Sequence, residues 1–65
     1  MKSYSSREII KLINTVGWFL VRVEGSYHIF KHEVKNGVLT VPHPKKDLPK
    51  KTAEKILKRA GVTFD

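Results

Sequence analysis

The chain contains no cysteine among its 65 residues, so neither a disulfide nor a thiolate metal site can supplement its folding. Long hydrophobic runs are also absent. Residues 18–21 form the longest, far short of the roughly 20 apolar residues that span a bilayer. The N-terminal segment lacks the apolar core of a secretory signal peptide. From these absences we expect a cytoplasmic protein that does not cross a membrane.

Acidic residues are scarce. Six Asp and Glu stand against 13 Lys and Arg, which gives a net charge of +7. Such an excess indicates a polyanionic partner, either nucleic acid or an acidic protein. A membrane surface is disfavoured, because no segment combines a broad apolar helical face with bulky aromatic anchors. The length predicts one small domain, residues 1–65, with a thin core.

Two segments have helical periodicity. Ser5 and Glu8 have the spacing of a capping box, and the apolar residues after them recur at helical intervals as far as Gly17. The second segment begins between residues 47 and 51 and ends at Gly61, with an apolar stripe of its own. The sequence therefore predicts one helix near each end of the domain.

Three segments between the helices have the alternation of strands: residues 18–24, 27–33 and 38–41. A Gly-Ser pair at 25 and 26 predicts the first turn, and an Asn-Gly pair at 36 and 37 predicts a hairpin. The predicted fold is therefore of the α+β class, in the order α-β-β-β-α. Both helices cover one face of an antiparallel three-stranded sheet and leave the other face open.

Strand alternation also predicts which face each side chain occupies. The expected inward set is Phe19, Val21, Tyr27 and Ile29, and the expected outward set is His28, Phe30 and His32. His28 would then lie on the open face near Arg22 and Lys31. Phe30 would lie beside it, where it could stack a base or meet a protein.

His28 is the candidate catalytic residue, because an imidazole exchanges a proton near neutral pH. RNA supplies its own nucleophile, the 2′-hydroxyl, so its cleavage needs only a base, an acid and cations that offset negative charge. A zinc site is disfavoured, since four strand residues separate His28 from His32 by about 13 Å and the carboxylates are scattered. We therefore predict neither a metal nor another cofactor. The simpler alternative is an exposed histidine without a catalytic role.

A run of cations surrounds the start and flank of the second helix: Lys45, Lys46, Lys50, Lys51, Lys55, Lys58 and Arg59. A helix N-terminus also offers free N–H groups to phosphate. Most charge runs are solvated surfaces, but in this chain the local density and the overall excess agree. The run therefore favours contact with phosphates.

Three ordered segments together resemble one known family over nearly the whole chain: GSYHIFKH at 25–32, LTVPHP at 39–44 and ILKRAGV at 56–62. They are similar to the HicA toxins of HicA–HicB toxin–antitoxin pairs. Three departures stand out: Tyr27 occupies a variable slot of the first segment, Lys51 replaces a common glycine at the second helix, and residues 45–49 match the family poorly.

The resemblance implies a double-stranded-RNA-binding-like fold and a ribosome-independent mRNA endoribonuclease that arrests growth. It assigns the essential histidine of the Gly-Ser-x-His tetrad to His28. It also implies a HicB antitoxin that covers the active surface, so that the toxin is a hetero-oligomer with it and a monomer when free.

The sequence thus predicts a metal-independent endoribonuclease with His28 as acid or base. The predicted RNA-contacting residues are Arg22, Ser26, Lys31, Lys45, Lys46, Lys50, Lys51 and Lys55. The second proton-transfer group stays open among His32, His43, Tyr27 and a lysine. One alternative is a non-catalytic RNA-binding module of the same fold, and another is a protein-interaction domain.

Overall fold

The computed structural model describes residues 3–62, so the first two and last three residues of the predicted domain lie outside it. The elements are a helix α1 (Ser6–Thr15), strands β1 (Trp18–Glu24), β2 (Tyr27–His32) and β3 (Leu39–Pro42), and a helix α2 (Lys50–Ala60). The strands form one antiparallel sheet in the order β1-β2-β3. This confirms the predicted fold. Within residues 3–62, neither helix is long and apolar enough to cross a membrane.

Local hydrogen bonds fix where α1 starts and where α2 ends. Ser5 Oγ accepts the N–H of Glu8 at 3.1 Å, and the Glu8 carboxylate accepts the N–H of Ser5 at 3.0 Å. The predicted capping box is therefore present. Helix α2 ends at Gly61, whose φ of 87° is left-handed, a conformation that glycine adopts at little cost.

The connection between β2 and β3 is longer than the Asn-Gly pair predicts. β2 ends at His32, and residues 33–38 lead to β3 without a tight turn. His32 supplies a reason, because its Nδ1 accepts the backbone N–H groups of Val34 at 3.0 Å and Lys35 at 3.2 Å. Those two groups bond to a side chain instead of a strand partner, so the chain leaves the sheet there.

The core lies between the helices and one face of the sheet. Its buried cluster consists of Ile9, Ile13, Trp18, Phe30, Leu39, Val41, Leu48, Ala53, Leu57 and Ala60. Trp18 links β1 to the end of α2 through a hydrogen bond, in which its buried Nε1–H donates to the carbonyl of Ala60 at 3.0 Å. Both helices contact the sheet as well as each other, and no element within residues 3–62 covers the opposite face of the sheet.

The predicted assignment of faces is wrong for Phe19, Tyr27 and Phe30, although the predicted inward residue Ile29 is buried, with 6% of its surface exposed. Phe30 is 1% exposed and lies under the helices, whereas Phe19 and Tyr27 are 45% and 51% exposed. In the observed register Phe30 pairs with Leu39 and not with an outward residue of β3. Apolar residues occur on both faces of β1 and β2, so alternation alone does not decide which set turns inward.

An irregularity in β1 adds to this ambiguity. Leu20 pairs with Phe30 and Arg22 with Ile29, so Val21 is an extra residue that shifts the register. Such a bulge exchanges the faces of all residues that follow it on the strand. The residues before Val21 and those after it therefore do not follow one common alternation between the two faces of the sheet.

Candidate active site

His28 lies on the same face of the sheet as the helices, between Val23 of β1 and Val41 of β3. This corrects its predicted position on the open face. Its ring is half-buried, and its Nδ1 is buried without a hydrogen-bond partner among the described residues. The other ring nitrogen, Nε2, is therefore the atom through which His28 can exchange a proton with a bound molecule.

A second imidazole packs directly against the first. His43 follows β3, and its ring centre lies 4.7 Å from that of His28, with the ring planes at 80°. Its backbone N–H donates to the carbonyl of Ser26 at 2.8 Å. The turn before β2 and the loop after β3 are thereby joined, which holds the two histidines side by side although they are far apart in sequence.

Ser6 anchors the ring of His43. This first residue of α1 is 1% exposed, and its Oγ lies 2.6 Å from His43 Nδ1. The same hydroxyl accepts the N–H of Lys45 at 2.9 Å and reaches the Lys45 carbonyl at 3.2 Å. The Lys45 carbonyl also accepts the N–H of Ser6 at 2.8 Å. The start of α1 and the loop at residues 43–45 therefore form one hydrogen-bonded unit.

A basic cleft of about 490 Å³ opens beside this unit. Its lining residues are Ser5, Ser6, Arg7, His43, Pro44, Lys45 and Lys46. Three cations thus line the same cleft as an imidazole. Phosphate groups bind well to such clusters, because each cation contributes charge-assisted hydrogen bonds. The arrangement can hold a phosphodiester next to groups that exchange protons.

Two of the predicted RNA-contacting residues lie elsewhere. Arg22 pairs with Ile29 across the strands and Lys31 pairs with Phe19, so both lie on the open face, away from His28. Arg22 also forms a salt bridge with Glu24. The predicted grouping of these two cations with His28 is not present, because it depended on the wrong assignment of faces.

Other predicted contacts divide into two groups. Lys45 and Lys46 line the cleft beside His43, and Ser26 takes part through its carbonyl. Lys50, Lys51 and Lys55 are exposed on α2. Lys50 Nζ lies 3.9 Å from Oε2 of Glu54, one helical turn further along α2.

Lys55 faces another groove, of about 830 Å³, between α2 and β3. Lys58 and Arg59 line it as well, together with Ile56 and residues 38–40. The cationic run is thus divided between two separate concave surfaces, and Lys50 and Lys51 line neither of them.

The structure separates the histidine and tyrosine candidates for the second proton-transfer group, and the lysine candidate is represented in the cleft by Lys45 and Lys46. Both nitrogens of His32 are engaged, since Nδ1 accepts two backbone N–H groups and Nε2 lies 2.8 Å from the carbonyl oxygen of Val16. Its ring also packs against Trp18. Tyr27 pairs with Glu24 and is exposed on the open face. His43 is the remaining histidine in the described chain and the one in contact with His28.

Two residues of the cleft, Ser6 and Arg7, are not among those that the sequence predicts for the site. Ser6 precedes Ile9 by three positions and Ile13 by seven, so it occupies the buried stripe of α1. A hydroxyl on the apolar face of a helix indicates a buried hydrogen bond, because a polar group that is removed from water needs a partner inside the protein. Within residues 3–62, no three His, Cys, Asp or Glu residues are grouped so as to hold a metal ion.

Comparisons with known proteins agree with this architecture. One solved structure, a HicA3 and HicB3 toxin–antitoxin complex, contains a chain of the same fold, with a TM-score of 0.77 and 23% identity. The match covers 95% of this chain and 100% of that chain. No curated protein matches the sequence significantly. A family model described as "HicA toxin of bacterial toxin-antitoxin" matches residues 6–62, so the chain belongs to the HicA toxin family.

Proposed function

We propose that this toxin is a metal-independent endoribonuclease that cleaves mRNA and arrests growth, with His28 as its catalytic base. The observation that carries the proposal is the contact between the rings of His28 and His43 at 4.7 Å beside a cleft with three cations. Imidazoles exchange protons near neutral pH, and cations offset the charge that develops on a phosphate.

The reaction uses a nucleophile that the substrate carries. His28 Nε2 takes the proton of a ribose 2′-hydroxyl, whose oxygen attacks the adjacent phosphorus. The new bond from O2′ to phosphorus forms as the bond from phosphorus to O5′ breaks. The products are a 2′,3′-cyclic phosphate and a 5′-hydroxyl, and Arg7, Lys45 and Lys46 bind the phosphate oxygens during the transfer.

We further propose that a HicB-type antitoxin inhibits the toxin by covering His28. The structural neighbour of the same fold is part of a toxin–antitoxin complex. Val23, which pairs with His28, is 51% exposed, and Leu20 on the same face is 48% exposed. Exposed apolar side chains beside a functional histidine suit a protein partner that buries both.

A non-catalytic RNA-binding module is the second candidate. The groove between α2 and β3 favours it, because Lys55, Lys58 and Arg59 line a concave surface that does not include either paired histidine. Such a surface binds phosphates without cleaving them. The two candidates differ in one respect that is easily measured, since only the nuclease generates new RNA ends.

The test is cleavage of a long purified transcript in excess EDTA by the wild-type chain, His28→Ala and Tyr27→Phe. We expect wild-type cleavage to survive EDTA and His28→Ala to reduce the rate by about 10²- to 10⁴-fold. Tyr27→Phe, which removes a hydroxyl from the opposite face, serves as the matched control and retains the rate. Inhibition by EDTA, or full activity of His28→Ala, refutes the proposed mechanism.

A further inference from the structure

Acid–base cleavage of RNA requires a second proton-transfer group, because the departing O5′ must gain a proton as the 2′-hydroxyl loses one. This inference rests on the proposed function. His32 has both nitrogens engaged by the backbone. Tyr27 lies on the opposite face of the sheet. His43 is in ring contact with His28 and lines the basic cleft.

The two paired histidines have different hydrogen-bonding environments. His43 Nδ1 lies 2.6 Å from Ser6 Oγ, and that hydroxyl reaches the Lys45 carbonyl at 3.2 Å. A doubly protonated His43 can therefore donate Nδ1–H to Ser6 while Ser6 donates to Lys45, so this chain of donors is fully paired. His28 Nδ1 is buried and has no such partner among the described residues.

This difference in hydrogen bonding suggests that one histidine acts as the general acid and the other as the general base. A general acid starts the reaction with both ring nitrogens protonated, and His43 has an acceptor for the proton that it keeps. A general base starts the reaction neutral, with a lone pair on Nε2 and its single proton on Nδ1, and of the two rings only His43 has an acceptor among the described residues for the Nδ1 proton of a doubly protonated imidazole. The contact with Ser6 occupies Nδ1 of His43, which leaves Nε2 as the nitrogen available for proton transfer.

The geometry points to His43 as the general acid of the reaction. As His28 Nε2 takes the proton of the 2′-hydroxyl, the bond from O2′ to phosphorus forms and the bond from phosphorus to O5′ breaks. His43 Nε2 gives its proton to O5′, which leaves as a hydroxyl. Solvent then removes a proton from His28 and returns one to His43. The ring centres are 4.7 Å apart, so both imidazoles can act on one phosphodiester.

The test compares two leaving groups. One oligonucleotide contains a single ribonucleotide with an ordinary phosphodiester, and the other has sulfur in place of O5′ at the same bond. A thiolate leaves without protonation, so a general acid is needed only for the first substrate. His43→Asn is the variant of choice, because its amide can occupy the position of Nδ1 beside Ser6 while the substitution removes Nε2 together with Cε1.

We expect His43→Asn to cleave the ordinary substrate about 10²- to 10⁴-fold more slowly than wild type, and the sulfur-containing substrate within about tenfold of wild type. His28→Ala should be slow on both. Normal cleavage of the sulfur substrate also shows that His43→Asn is folded. If it does not fold, His43→Gln is compared in the same way.

Equal losses on the two substrates, or no loss on either, would overturn the assignment of His43 while leaving the nuclease proposal intact. If the wild-type chain cleaves neither substrate, the proposed function fails and the inference fails with it. Cleavage by the wild-type chain in the same experiment therefore distinguishes a wrong assignment of His43 from a wrong proposed function.

Discussion

Ser6→Ala removes the hydroxyl that links the start of α1 to His43 and Lys45 in the candidate site. Ser6 is 1% exposed, and its Oγ contacts His43 Nδ1, the Lys45 N–H and the Lys45 carbonyl. A buried group left without a partner costs about 1–3 kcal/mol. Ser6 also lines the cleft, so water can restore part of the loss. We expect the free energy of unfolding to fall by about 1–3 kcal/mol.

Urea denaturation of the purified chain measures this change. For a domain of this size, 1 kcal/mol corresponds to a shift of about 4–8 °C in Tm, so thermal unfolding provides an independent check. RNA cleavage should fall as well, by about 10- to 100-fold, because His43 loses the contact that orients its ring.

Thr15→Ala is the matched control. Its hydroxyl donates to the carbonyl of Leu12 at 2.6 Å, at the opposite end of α1 from Ser6. Loss of such a hydrogen bond costs about 1 kcal/mol, so stability should fall while cleavage by the folded protein stays within about twofold of wild type. The reasoning is refuted if Ser6→Ala leaves both stability and cleavage unchanged, or if the two variants lose cleavage equally.

Two further variants test the core and the cleft. Trp18→Phe should lower the free energy of unfolding by about 1–3 kcal/mol, since it deletes the buried bond from Nε1 to the Ala60 carbonyl; a change below about 0.5 kcal/mol in urea denaturation would contradict this. A double Lys45→Ala, Lys46→Ala variant should reduce the slope of log affinity against log salt for single-stranded RNA by about 1.4, whereas Lys11→Ala, on the exposed side of α1, should leave the slope unchanged. Equal slopes for the double variant and the wild type would exclude the two cleft lysines from phosphate contact.

The order and extent of the elements could be predicted because their signals are local. The capping pair Ser5 and Glu8, the terminating Gly61 and the period of each apolar stripe all act within a few residues. The orientation of the sheet could not be predicted in the same way. Phe19 and Phe30 are equally apolar, and only the pairing of β2 with β3 decides which of them is buried.

The candidate site was predicted in part. His28 stood out through its motif, and Lys45 and Lys46 through their charge. The contact between His28 and His43 depends on the register of β2 and β3 and on the loop after β3, which no short spacing encodes. The anchoring by Ser6 joins positions 37 residues apart, so only the folded chain reveals it.

The ends of the RNA fragments test the central claim most directly. A transcript is incubated with the wild-type chain in EDTA, and the products are analysed by mass spectrometry and by labelling of their 5′ ends. Attack by the 2′-hydroxyl predicts 2′,3′-cyclic phosphate and 5′-hydroxyl ends, which His28→Ala should form about 10²- to 10⁴-fold more slowly. Fragments with 3′-hydroxyl and 5′-phosphate ends would show that water is the nucleophile, which contradicts acid–base catalysis of 2′-hydroxyl attack by the paired histidines.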